Sequence, residues 1–98
     1  MQTPDYLDAL RKKYALTSDA AVQRLLGVSD SGIRNYRTKR STFDCVTARK
    51  VAALLELDPG GVFLDMQAQK ARGVEERRIW EQLAGRVKRR AAKHLTPV

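Results

Sequence analysis

In the segment GVSDSGIRNYRTKR, residues 27–40, four polar side chains gather on one side of any helix built from it. At about 100° per residue, Ser31, Arg34, Asn35 and Thr38 cluster opposite Ile33 and Tyr36. An Arg guanidinium offers two parallel donors, and an Asn amide sets a donor beside an acceptor. Each can therefore hold one edge of a flat heterocycle by two hydrogen bonds, and Ser31 adds a permissive short hydroxyl. This is the chemistry of reading a surface, not of breaking bonds. The sequence carries no nucleophile–base pattern, no phosphate-cradling loop and no metal-ligand set. Gly60 and Gly61 lack the G-x-G-x-x-G or Lys-Ser/Thr context of a nucleotide loop. His94, the only histidine, lies beside Lys93 with no acid, nucleophile or orienting partner near it in sequence, and is expected to be exposed. Neither enzymatic activity nor a cofactor is expected.

Charge indicates what is read. With 19 Lys+Arg against 11 Asp+Glu the chain carries +8, and its sequence pI of about 10.2 favours a polyanionic partner, nucleic acid ahead of an anionic membrane surface. The charge is uneven: residues 70–98 hold nine basic and three acidic side chains, leaving ten and eight in residues 1–69. On nucleic acid, Arg34 can donate to guanine O6 and N7 and Asn35 can pair with adenine N6 and N7, each contributing about 1–3 kcal/mol of discrimination. Asp30 can accept from cytosine N4 or merely complement the helix dipole. Arg37, Lys39 and Arg40 can reach phosphates, which positions a helix without reading sequence.

The elements that must position these residues follow from apolar spacing of three and four; strand signals are almost absent. Ninety-eight residues with 43% apolar content suit one core. TPDYLDAL opens a helix with Thr3 as cap, Pro4 at the first helical position and Asp5 on the dipole, and Leu7, Leu10 and Tyr14 form its inward stripe. Ser18 caps a two-turn helix burying Val22, Leu25 and Leu26, which Gly27 ends in the left-handed conformation. Only Val28 separates Gly27 from the next cap, Ser29, and Val28 with Ile33 makes a hydrophobic staple that fixes a tight angle. Asp44 caps a fourth helix burying Ala48, Val51, Ala52 and Leu55. Cys45, which has no partner for an internal disulfide, is expected to be a small buried hydrophobe. Asp58-Pro59 starts a fifth helix burying Val62, Phe63 and Met66, and Gly73 precedes a last one.

Two short helices joined through one glycine turn, the second with a polar outer face and a basic stretch after it, make a helix-turn-helix unit. Residues 18–57, SDAAVQRLLGVSDSGIRNYRTKRSTFDCVTARKVAALLEL, resemble the DNA-binding domain of lambda-repressor and Cro-like regulators, SDSGIRNY above all. The chain as a whole is similar to small single-domain repressors of phages and prophages. The resemblance implies an all-α, five-helix domain over residues 1–72, with an additional basic helix over 73–98. It also implies major-groove binding, usually as a dimer, by the recognition helix 29–38. Carried over by position, Asp30, Ser31 and Asn35 touch base edges with Arg34 beside them; Ser29 and Thr38 join Arg37, Lys39 and Arg40 as the expected phosphate contacts. Three positions depart from the family. Gln23 stands where a small Ala is usual, so the helices must open or the Gln must reach solvent. Asp19 replaces a frequent phosphate-contacting Gln and would repel a phosphate. Lys39 takes the place of the Gly that often ends the recognition helix.

In the last helix Ile79, Trp80, Leu83 and Val87 follow helical spacing. They either fold back on the domain or pair two copies across a twofold axis, with recognition helices about 34 Å apart. A membrane-surface helix is the weaker reading, because the apolar face is narrow. No stretch approaches the roughly 20 apolar residues of a membrane span, and no signal-peptide run opens the chain, so a cytoplasmic protein is expected. The expected partners are double-stranded DNA and a second copy of the chain, with no membrane. Two rival readings share the basic surface: an antitoxin-like protein whose C-terminal segment binds a regulatory partner, and a sequence-neutral nucleic-acid binder.

Overall fold

The structure is a computed structural model that describes the backbone of residues 1–95 and the side chains of residues 1–90. Its described residues form six helices and no strand: α1 Thr3–Lys13, α2 Asp19–Leu26, α3 Asp30–Arg37, α4 Cys45–Leu55, α5 Pro59–Lys70 and α6 Val74–Leu95. None is long and apolar enough to cross a membrane. The His94 side chain lies outside the described residues.

Each start is set by a local donor–acceptor exchange. Ser18 accepts from Ala21 N, Ser29 from Gly32 N, Asp44 from Thr47 N and Asp58 from Gly60 N, which satisfies amides that the first turn leaves orphaned. The bond from Thr47, backbone before side chain, holds the Asp44 carboxyl below its usual range. At α1 the expectation of a Thr3 cap is corrected. Gln2 occupies the cap and donates its backbone N–H to Asp5 Oδ2 at 2.7 Å, which moves Thr3 inside the helix. There it is fully buried, and its hydroxyl donates to the carbonyl of Tyr36 at 2.9 Å. Thr3 thus joins the first helix to the third.

One core fills the space between α1 and α5: Tyr6, Leu7, Leu10, Val22, Leu26, Ile33, Tyr36, Phe43, Ala48, Val51, Ala52, Val62 and Met66. Leu25, Val28, Leu55 and Phe63 pack at its margin. Phe43, from the loop after α3, meets Tyr6 and Tyr36 edge-on at centroid distances of 5.9 and 4.8 Å, a favoured aromatic geometry. Two expected core positions are outside it. Tyr14 ends α1 at 40% exposure, its hydroxyl donating to Leu54 O at 2.7 Å. Cys45 is exposed: it lies on the same helical face as Ala48 and Ala52 but is the first residue of α4, a turn before the buried stretch begins.

Helix α6 returns along α5 and packs there through Ala84, which is 1% exposed. Its polar anchor is Lys88, whose Nζ donates to Asp65 Oδ2 at 2.6 Å. Asp65 is buried and also accepts the Tyr6 hydroxyl, while the N-terminal amine lies 3.4 Å away. Burial first, then the bond to Asp65, pushes the Tyr6 phenol far above its ordinary value.

Candidate nucleic-acid interface

The outward face of α3 is set by what its inward face buries. Ile33 and Tyr36 are each 7% exposed, and a helix that commits them to the core must turn the residues between them to solvent. Ser31 and Arg34 are exposed and Asn35 is half-buried. Among the described hydrogen bonds and ion pairs, none engages the Arg34 guanidinium or the Asn35 amide, whereas Ser31 Oγ lies 3.3 Å from Ser29 Oγ. The turn that delivers this face is three residues long, with Gly27 at φ 68° and Val28 at the edge of the core. Lys50 reaches across from α4 to donate to Leu26 O at 3.1 Å, which braces the end of α2.

Two of the expected contact residues have partners within the chain. Asp30 accepts from Gln23 Nε2, so Gln23 has reached solvent and ties α2 to the first turn of α3. Asp30, still exposed, thus braces the two helices through one carboxylate oxygen and complements the dipole of α3. Arg37 is the more fully engaged of the two. Its Nε and Nη2 donate to the two oxygens of Asp19 at 2.9 and 2.7 Å, and its Nη1 lies 2.9 Å from Asp8. The fork on Asp19 lowers that carboxyl's pKa, with burial opposing, and Arg11 adds a smaller favourable charge. The same bonds raise Arg37. Asp19, which would repel a phosphate, instead answers a charge that would have attracted one.

Past α3 the chain turns sharply. Arg40 N donates to Asn35 O at 2.9 Å and Lys39 N to Tyr36 O at 3.3 Å, the paired closure that caps a helix C-terminus. Lys39 occupies the left-handed residue of that closure at φ 65°, the conformation usually left to glycine. The Thr38 hydroxyl is turned back onto Arg34 O at 3.0 Å, and Ser29 is used as the cap, though both residues remain exposed. Lys39 and Arg40 then open a concavity of ≈ 550 Å³, shared with Ser41, Thr42, Gln69 and Lys70. The α5 residues of this basic hollow were not anticipated. Residues thirty apart share it only because α5 ends beside the α3–α4 loop, where Gln69 Oε1 accepts from Thr3 N at 2.8 Å.

The set Ile79, Trp80, Leu83 and Val87 is divided. Val87 Cγ1 approaches to 3.6 Å of where a Cβ on Gly60 would stand, so it packs toward α5. Ile79 is 58% exposed, with Trp80 and Leu83 half-buried on the shoulders. Trp80 Nε1 donates to Glu76 Oε1 at 3.3 Å. Compared with known proteins, the chain matches no family model, no curated protein and no solved structure.

Proposed function

We propose that this chain is a sequence-specific double-stranded DNA-binding regulator of the lambda-repressor and Cro-like kind, a phage or prophage repressor acting on a palindromic operator. The observation that carries the reading is the outer face of α3: a rigid, doubly capped helix offering an exposed Arg34 and an Asn35 with their hydrogen-bonding groups unengaged. Laid in a major groove, Arg34 reads guanine, Asn35 reads adenine and Ser31 makes a short permissive contact. Lys39 and Arg40, with Ser29 and Thr38 at the two helix ends, follow the phosphates; Lys70 extends that basic edge. A bound dimer excludes polymerase by occupying its site.

Selection of bound duplexes from a random pool supplies the operator. Arg34→Ala with Asn35→Ala should then abolish preference for it over random duplex, leaving weak, salt-sensitive binding. Wild-type affinity should fall roughly 10³- to 10⁵-fold between about 50 and 200 mM salt if a dimer meets some six to ten phosphates. A pool that yields no motif, with equal affinity for every duplex, would identify a sequence-neutral binder instead.

A further inference from the structure

Helix α6 uses one side for its own domain and leaves another uncovered. Ala84, Val87 and Lys88 face α5. About a third of a turn round from that side, Glu76, Ile79, Leu83, Arg86 and Arg90 succeed one another at intervals of three, four, three and four, which places all five on one stripe of a helix. Glu76, Ile79, Arg86 and Arg90 are exposed and Leu83 is half-buried. Alternating intervals of three and four are the spacing of a two-helix seam. In this seam the centre is apolar, one end acidic and the other basic.

That charge order selects the partner and its direction. Two copies laid parallel would set Glu76 on Glu76, Arg86 on Arg86 and Arg90 on Arg90, stacking like charges in three of five layers. Laid antiparallel about a twofold axis at the level of Glu81, each Ile79 meets the other copy's Leu83, and each Glu76 meets its Arg86. Two apolar layers then lie between two ion-paired ones; only Arg90, at the level of the partner's Arg72 before its α6 begins, meets like charge, and the patch from Glu76 to Arg86 is self-complementary, as a twofold interface requires. We propose that a second copy of this chain docks on α6 in this antiparallel register. The proposal deepens the DNA-binding reading by supplying the second half-site, yet its test needs no DNA, so either can fail alone.

The test is sedimentation equilibrium of the full chain and of Glu76→Arg, Arg86→Glu and the double exchange, with far-UV circular dichroism to show that each folds. Wild type should dimerise reversibly at micromolar to hundreds of micromolar concentration. Each single reversal should weaken association about ten-fold or more by facing like charges across the seam, and the double exchange should recover most of it. A chain that stays monomeric throughout, a dimer indifferent to both reversals, or a double variant no better than the singles would each overturn the proposal.

Discussion

At the residue scale the informative case is the fork between Arg37 and Asp19. An acid held below its ordinary pKa by the folded state contributes stability that is complete above the unfolded value, about 3.9, and is lost as pH falls through the lowered folded value. Asp19→Asn should therefore lower stability at neutral pH and flatten the acid limb of a stability–pH curve. Both partners are about 30% exposed, so the neutral-pH loss should be only about 1 kcal/mol, as for a well-formed but partly solvated pair. The same variant releases Arg37 from its bidentate partner. Non-specific duplex binding should then steepen by roughly 0.9 in its log–log salt slope per recruited phosphate. An unchanged slope would mean that Asp8 alone holds the guanidinium back.

At the scale of the element, α3 works because both its ends are stopped sharply. Ser29 is suited to its task and Lys39 is not: a side chain in the left-handed region costs about 1–2 kcal/mol. Lys39→Gly should relieve that cost, less some of the unfolded-state entropy that Gly adds. A net gain of roughly 0.5–1 kcal/mol in urea unfolding is expected, with a loss of phosphate affinity that shows as a shallower salt slope. Greater stability with weaker duplex binding would mark Lys39 as a residue kept for its charge against its conformation. If unfolding shows no gain, the closure around Lys39 is not strained.

Over the whole molecule, Asp65 connects three parts of the chain, because Tyr6 from α1 and Lys88 from α6 meet its carboxylate. Removing one member of a buried ionic contact leaves the other charge uncompensated, at a cost of up to about 3–5 kcal/mol. Lys88 is a third exposed and Asp65 keeps the Tyr6 hydroxyl, so Lys88→Met should cost less, about 1–3 kcal/mol. The loss should be localised: amide exchange should accelerate along residues 83–90 while α2 and α3 keep their protection. Uniform acceleration would show that α6 is integral to the core and not an appended helix.

Much of this protein was determined along the chain itself, where cause and effect lie within four residues. Ser18, Ser29, Asp44 and Asp58 each cap the helix that follows by a bond two or three residues long, and Gly27 needs only its missing Cβ to make the turn. The inward positions Leu7, Val22, Ile33, Val51 and Met66 follow from the same short period. What remained undetermined depends on contacts between distant segments, which periodicity does not encode. Tertiary packing alone drew Phe43 into the aromatic cluster, buried Thr3 against Tyr36, exposed Cys45, and divided Val87 from Ile79 on one helix. It also decided which cations stay available for a partner. Arg37 and Arg34 are chemically identical in sequence, and only the approach of Asp19 and Asp8 across the fold commits one of them within the chain.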